Sequence, residues 1–192
     1  MPAPAQPRLE SGRVYRTRDL ATWGANPTRL ARRLVREGRL HSLAQGLFYA
    51  PKSSRFGPVP PEDEEILRAF LGSDEFVLTG PPYWNALGLG TTAAFPVVLV
   101  YNTRRTGEFT FGRRRYRLRR VRFPTRPSAE WYVIDLLEHR GMAGVSRRQL
   151  ATALATALRQ GRFDPQSLRR MAREYGTRKT QDLVESAIGG SP

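Results

Sequence analysis

The sequence of 192 residues predicts an α+β fold: an N-terminal winged helix-turn-helix, followed by a small mixed α/β domain with a short sheet and C-terminal helices. Three observations lead to this prediction. Residues 17–51 contain two helical patterns and then a hairpin pattern, residues 76–119 contain several short extended runs, and residues 128–188 contain helical periodicity. Patterns that change in blocks along the chain are typical of α+β proteins.

The second helical pattern is the best defined element of the first block. Asn26 suits the N-cap, Pro27 suits the first helical position, and Gly38 ends the pattern where a left-handed residue is wanted. At about 100° per residue, one arc of this helix is apolar and the opposite arc is polar and basic. The apolar arc holds Leu30, Ala31, Leu34 and Val35, and the basic arc holds Thr28, Arg29, Arg32, Arg33 and Arg36.

The segment before this helix predicts a shorter helix. We expect Thr17 to cap it and Gly24 to close it, leaving a tight turn into Asn26. A helix, a tight turn and a second helix have the spacing of a helix-turn-helix.

The segment after Gly38 predicts the wing. Residues 39–43 and 47–50 have an extended pattern around a turn at residues 44–46, and Pro51 stops the second run. Residues 14–15 are expected to add a short strand beside this hairpin.

The basic arc predicts binding to double-stranded DNA. Four arginines share the exposed face of the second helix, and a hairpin follows it, as in proteins that read the major groove. The alternative is that the arginines form only a solvated surface. The candidate DNA-binding residues are Thr17, Arg18, Asn26, Thr28, Arg29, Arg32, Arg33, Arg36, His41, Ser42 and Gln45.

The composition of the chain indicates the kind of partner, the sulfur chemistry and the compartment to expect. The chain has 32 basic and 17 acidic residues, a net charge of +15 and a pI near 11.3, which favours a polyanionic partner. It has no cysteine, which excludes disulfides and thiolate metal sites. We expect a cytoplasmic protein with no membrane association, because the first residues lack a signal-peptide pattern and no apolar run approaches the ~20 residues needed to span a bilayer.

A proline-rich segment, residues 58–61, predicts the domain boundary. It divides a DNA-binding domain, residues 1–57, from a C-terminal α+β interaction domain, residues 58–192. The first carries 11 basic and 3 acidic residues and the second 21 and 14, so charge density is higher in the first.

The C-terminal domain is predicted to combine a small sheet with helices. Acidic residues from Glu62 to Glu65 crowd the first turn of a helix that runs to Leu71, and strands are expected at residues 76–80 and 97–101. A short helix, residues 82–87, lies between those strands. A hairpin at 109–119 and four helices, which begin near Ser128, Ser146, Pro165 and Lys179, complete the prediction.

The hairpin is unusually basic, since seven of the ten residues from Arg113 to Arg122 are arginine. Alternation places Tyr116 and Leu118 on one face and arginines on the other. This face is either a solvated sheet surface or a second basic contact surface. Its candidate residues are Arg113, Arg114, Arg115, Arg117 and Arg119.

The sequence contains no recognisable catalytic constellation. Phosphate-binding glycine loops, serine nucleophile elbows and nuclease-type acid-x-lysine centres are missing, and no pair of carboxylates follows Gly72 and Ser73 as a nucleotidyltransferase would need. Asp135 and His139 lie one turn apart, but two ligands without a third favour a structural pair over a metal site. We therefore expect no enzymatic activity, no cofactor and no metal.

Several stretches resemble the AbiEi-type antitoxins of type IV toxin-antitoxin systems. The resemblance rests on residues 34–40 (LVREGRL), 46–51 (GLFYAP), 78–80 (LTG) and 85–89 (NALGL), and it is good over residues 13–90. It implies a winged-helix repressor of its own operon whose C-terminal domain neutralises a nucleotidyltransferase-like toxin. We separately expect the DNA partner to be an inverted-repeat operator. Carried over by motif, the DNA readers are Thr28, Arg29, Arg32, Arg33 and Arg36, with the wing at residues 41–45.

Two other functions stay open at the level of sequence. One is a stand-alone winged-helix transcription regulator whose second domain dimerises or senses a ligand. The other is a nuclease or nucleotidyltransferase with a winged helix attached.

Overall fold

The computed structural model of the chain describes residues 7–55, 57–92 and 94–190. The proline-rich start, residues 1–6, lies outside these ranges. The chain divides into two compact units: the described residues of Met1–Asp74 with Glu108–Arg115, and those of Glu75–Gly107 with Tyr116–Pro192. The fold is α+β, as predicted, because helices and several small sheets occur in the same chain. No helix in the described part combines the length and apolarity that a membrane crossing needs.

The first unit contains a three-stranded sheet, a two-stranded sheet and three helical segments. In chain order its elements are β1 (Val14–Arg16), a 3₁₀ helix (Thr17–Trp23), α1 (Pro27–Arg36), β2 (His41–Ala44), β3 (Leu47–Tyr49), β4 (Lys52–Ser54), β5 (Gly57–Val59) and α2 (Asp63–Leu71). Strand β3 is central and pairs antiparallel with both β1 and β2. The predicted wing hairpin and the added strand at residues 14–15 are therefore present as strands.

The core of this unit joins the two helical segments to the sheet. Leu20 of the 3₁₀ helix and Leu34 of α1 are completely buried, and Leu40 is nearly so. They pack with Tyr15, Leu30, Ala31 and Ala50. One member of the predicted apolar arc is different: Val35 is 36 % exposed. It lies at the edge of that arc, beside Thr28, so it borders the basic face instead of entering the core.

The predicted cap of the first helix is wrong. Thr17 does not cap it, because its backbone N–H donates to the carbonyl of Gly46 in the β2–β3 turn, at 3.0 Å. The cap position is Arg16, whose N–H donates to the Asp19 carboxylate at 2.8 Å. The 3₁₀ helix begins directly after strand β1, with no residue between them. Thr17, the first residue of the helix, is therefore still hydrogen-bonded to the β2–β3 turn.

The proline-rich segment does not separate the two units. Gly57 to Val59 form β5, which pairs with β4, and α2 packs on β1. The backbone N–H of Val14 donates to Glu65 of α2 at 3.3 Å, and Phe70 of α2 contacts the rings of Phe109 and Phe111. The first compact unit therefore runs to Asp74 and includes residues 108–115, while the division into functional domains at residues 58–61 stays a prediction.

The second unit contains most of a four-stranded sheet and the remaining helices. In chain order the elements are β6 (Phe76–Thr79), α3 (Pro81–Ala86), β7 (Val97–Asn102), β8 (Gly107–Phe111), β9 (Arg114–Arg120), α4 (Ala129–Glu138), α5 (Arg147–Arg159), α6 (Pro165–Tyr175) and α7 (Arg178–Gly189). The strand order is β6-β7-β9-β8. The distal end of the β8–β9 hairpin, residues 108–115, is the part that belongs to the first unit.

Helix α4 is the central element of the second unit. Six of its ten residues are buried, and it packs against α3, α6 and α7. Leu150 and Leu154 of α5, Leu168 of α6 and Val184 of α7 are fully buried in the same core. The predicted helix starts are confirmed at Ser128, Ser146 and Asp164, whose side chains each accept a hydrogen bond from the backbone of the first turn.

Candidate nucleic-acid interface

Helix α1 has the ends that its sequence predicts. The Asn26 side chain accepts a hydrogen bond from the Arg29 N–H at 2.9 Å, and Pro27 occupies the first position. At the other end Gly38 has a φ of +70°, in the left-handed region that favours glycine. The N–H groups of Arg39 and Leu40 both donate to the Leu34 carbonyl, which turns the chain into β2. Burial of Leu30, Ala31 and Leu34 in the core leaves the opposite, basic face of α1 pointing outward.

The outward face of α1 lines an open groove of about 1100 Å³. Ser42 of β2 and Phe48 of β3 contribute to the same groove, so the hairpin lies beside the helix. None of the described residues that line it is acidic. The residues that α1 and its cap contribute are Asn26, Thr28, Arg29, Arg32, Val35 and Arg36.

The groove has the charge and the donors that an anionic polymer requires. Arg29, Arg32 and Arg36 are exposed along one face, and each guanidinium carries a full charge and several N–H donors. They begin at the N-terminal turn of α1, where the helix dipole also favours an anion.

Arg33 differs from its neighbours on α1. Its Nε lies 3.7 Å from Glu37 Oε1, and it does not line the groove. Glu37 also lies 3.8 Å from Arg39, so this edge of the helix is partly compensated in charge. Of the predicted α1 contacts, Arg33 is the one that the structure places apart.

The predicted wing residues have different environments. Ser42 is exposed and lines the α1 groove, whereas the half-buried His41 ring lies against Tyr49, with centroids 5.3 Å apart. Gln45 is exposed at the turn. Thr17 is half-buried against that turn, and Arg18 is exposed on the 3₁₀ helix beside Asp19.

The five arginines of the predicted second basic surface are divided between the two compact units. Arg113, Arg114 and Arg115 belong to the first compact unit, whereas Arg117 and Arg119 belong to the second. Arg114 pairs with Asp63 of α2. In the second unit, Arg117 lies over the Phe95 ring at 5.6 Å, and Arg119 Nη1 lies 3.1 Å from His139 Nε2. Alternation along β9 is as predicted, since Tyr116 and Leu118 are fully buried.

The buried carboxylate of Asp135 on α4 is contacted by polar groups from several elements of the second unit. Its carboxylate accepts hydrogen bonds from the Thr79 hydroxyl, from Trp84 Nε1 at 2.8 Å and from the Tyr101 hydroxyl at 2.6 Å. His139 Nδ1 lies 3.3 Å from the carboxylate. The sequence singled out Asp135 with His139 but missed the three donors. The sequence did contain a signal for them: Asp135 is the one carboxylate within an apolar helical run. A buried carboxylate requires hydrogen-bond donors, so donors from other elements could have been expected.

The protonation states of this cluster are linked. Burial alone would raise the pKa of Asp135, but the hydrogen bond and charge of His139 and the Thr79 and Tyr101 hydroxyls outweigh it and lower that pKa. Burial would likewise lower the pKa of His139, but the hydrogen bond and charge of Asp135 raise it, against the opposing charge of Arg119. Burial, with the charge of Asp135, raises the pKa of Tyr101. The cluster joins β6, α3, β7 and α4 through one charged acceptor.

Within the described ranges, no three His, Cys, Asp or Glu side chains come together where they could hold a metal ion. Comparison with known proteins adds no relative: no protein-family model matches the chain, and no curated protein matches it.

Proposed function

We propose that the first unit binds double-stranded DNA as a winged helix-turn-helix. In this proposal α1 is the recognition helix, the 3₁₀ helix precedes it, and the β2–β3 hairpin is the wing. The observation that carries the proposal is the groove beside α1, which three exposed arginines line and which contains no acidic residue among those that the structure describes. A major groove about 12 Å wide accepts a helix with this type of face.

The residues that line the groove are proposed to make two kinds of DNA contact, to base edges and to phosphates. Side chains at the N-terminal end of a recognition helix reach base edges, and those further along tend to reach phosphates. Thr28, Arg29 and Arg32 are therefore the proposed base readers. Arg36 and Ser42 are proposed to position the DNA backbone.

We further propose that the chain is an antitoxin and autorepressor of a type IV toxin-antitoxin operon. The support is its resemblance to AbiEi-type antitoxins over residues 13–90. The partners are then an inverted-repeat operator and a nucleotidyltransferase-like toxin that the C-terminal part neutralises. Acting on its own operon places the protein in the cytoplasm, and its role requires no enzymatic activity.

Fluorescence anisotropy on operator and scrambled duplexes over a salt series tests the DNA-binding proposal. We expect Arg32→Ala to weaken operator binding by about 1–3 kcal/mol and to flatten discrimination at one base pair. Arg36→Ala should weaken binding to both duplexes and reduce the slope of log affinity against log salt by about 0.9. Arg148→Ala, which removes an equal charge from the exposed face of α5, is the matched control. If both groove variants bind both duplexes like the control, the proposal fails.

Growth rescue tests the antitoxin proposal separately. The full chain, expressed with a nucleotidyltransferase-like toxin encoded beside its gene, should restore growth. The double variant Arg32→Ala/Arg36→Ala should restore growth equally well while losing repression of an operator-driven reporter. Continued toxicity with the folded wild-type chain present would count against the antitoxin role and favour a stand-alone regulator.

A further inference from the structure

The distal end of the β8–β9 hairpin packs within the first unit, to which residues 108–115 belong. The Gly112 N–H donates to the Leu43 carbonyl of β2 at 2.8 Å. Phe111 is 3 % exposed, and the Phe70 ring lies 4.7 Å from it and 4.8 Å from Phe109. The backbone bond and the aromatic contacts hold residues 108–115, called here the hairpin tip, in place.

The hairpin tip borders a groove that adjoins the groove of α1. This second groove, of about 810 Å³, is lined by Val35, His41, Ser42, Gly112 and Arg113, among others. Val35 and Ser42 line the α1 groove as well. The two grooves therefore form a continuous surface that runs from the basic face of α1, past the first strand of the hairpin, to Arg113.

The charges of the tip show which arginine is available to a ligand. Arg114 also lines the groove, but it is paired with Asp63 of α2. Arg113 is exposed, lines the groove and forms no ion pair with a described residue. Arg115 is also exposed but does not line that groove. Of the two tip arginines that line the groove, Arg113 is therefore the one whose charge is not paired with a described carboxylate.

We propose that the hairpin tip is an additional DNA contact, in which Arg113 binds a phosphate outside the segment covered by α1. This inference rests on the proposed DNA-binding function, because it extends the surface that α1 begins. A guanidinium on an anchored backbone meets a phosphate with little loss of backbone freedom. The contact carries no sequence information, so it adds affinity on every duplex.

Salt-dependent anisotropy with the full-length chain tests the proposal. Arg113→Ala should weaken binding about three- to tenfold on operator and scrambled duplexes alike and reduce the salt slope by about 0.9, the value for one phosphate contact. Arg113→Lys should retain most of the affinity, because a lysine also binds phosphate as a point charge. Arg148→Ala should have no effect on either duplex.

Trimming the duplex locates the contact. When about five base pairs, half a helical turn, are removed from each flank, wild type and Arg113→Ala should bind with equal affinity. Arg32→Ala should still be weaker than wild type on the trimmed operator.

The outcomes separate the inference from the function on which it rests. If Arg32→Ala weakens operator binding while Arg113→Ala matches Arg148→Ala on every duplex, the tip is not a DNA contact and the α1 assignment stands. An Arg113→Ala effect that survives trimming of the flanks also overturns the proposed location. If Arg32→Ala, Arg36→Ala and Arg113→Ala all bind like the control, both proposals fail.

Discussion

At the scale of single residues, Asp135 shows how one buried charge organises a core. It lies on the central helix α4, and its carboxylate is reached by a hydroxyl from β6, an indole from α3 and a phenol from β7. A buried carboxylate is tolerated only when donors and an opposite charge replace its hydration. The donors are in turn oriented by the carboxylate, so each side of the cluster depends on the other.

Replacing this carboxylate should therefore be costly. We expect Asp135→Asn to lower the free energy of unfolding by about 3 kcal/mol, since an amide retains the shape but turns an NH₂ group toward buried donors. Urea denaturation followed by circular dichroism measures the change. Asp182→Asn on the exposed face of α7 is the matched control and should change stability by less than about 0.5 kcal/mol. Equal stabilities of the two variants would show that the cluster contributes little.

The raised pKa of His139 predicts how stability depends on pH. The folded state holds the proton more tightly than the unfolded chain, whose pKa is near the ordinary value of 6.5. The stabilisation is therefore fully present below about pH 6.5 and is lost as pH rises through the higher folded-state pKa. Denaturation over a pH series should show this decline in the wild type, and His139→Gln should abolish it.

The Asp135 carboxylate adds a second pH dependence to the stability, at acidic pH. The pKa of Asp135 is lowered in the folded state, so its contribution to the free energy of unfolding is present above the ordinary value of 3.8 and is lost as pH falls through the folded pKa.

The charge of Arg119 opposes protonation of His139, so Arg119→Ala should raise the pKa of His139 further. NMR titration of the imidazole ring protons measures the pKa of His139 directly, and the His139→Gln variant identifies which signal belongs to this residue. A lower pKa in Arg119→Ala would contradict the proposed electrostatics.

At the scale of elements, helix α1 is defined by its two ends. Asn26 satisfies a backbone N–H at the start, and the left-handed Gly38 lets the chain turn back toward β2 at the finish. Changing either end would tilt or fray the helix that carries the groove.

The glycine at the end of α1 gives a direct test. Apart from its two chain neighbours, no described residue has an atom within 4 Å of a Cβ built at Gly38, so the cost of a side chain there is conformational and not steric. We expect Gly38→Ala to lower the free energy of unfolding by about 1 kcal/mol, and Gly38→Asn by less, because asparagine tolerates positive φ better. Gly189→Ala, in α7 with no positive φ and open space around it, is the control and should be neutral or stabilising. Equal effects of the two alanine changes would contradict the strain argument.

At the scale of the whole molecule, the first unit is discontinuous in sequence. Helix α2 supplies Ile66, Leu67 and Leu71, all at most 5 % exposed, and residues 108–115 return from much later in the chain. A unit built from two segments depends on both for its core.

A polypeptide of residues 1–57 should accordingly be unstable. It lacks α2 and the hairpin tip, so strand β1 loses its helical cover and apolar surface is exposed. We expect no cooperative thermal transition by circular dichroism and at least a tenfold loss of DNA affinity relative to the full chain. The full chain with Arg148→Ala serves as the binding reference. A fragment that unfolds cooperatively and binds DNA like the full chain would support the proline-rich segment as the domain boundary.

Local patterns of sequence determined most of the elements. Caps such as Asn26 and Ser146 act within one helical turn, and the apolar run of β7 and the alternation of β9 follow from strand geometry alone, so these were predictable. The basic face of α1 was predictable for the same reason. The paired positions of Asp135 and His139 on α4 also follow from helical spacing.

Which segments share a unit, and which side chains share a site, depends on contacts between residues far apart in the chain. The three donors to Asp135 are 34 to 56 residues away in sequence, and Gly112 meets Leu43 from a distant hairpin. The exposure of Val35 and the tie of Thr17 to Gly46 likewise depend on neighbours that no local pattern specifies. The physical reason is that periodicity fixes the face on which a side chain lies, whereas the partner of that face is set by long-range packing of the whole chain.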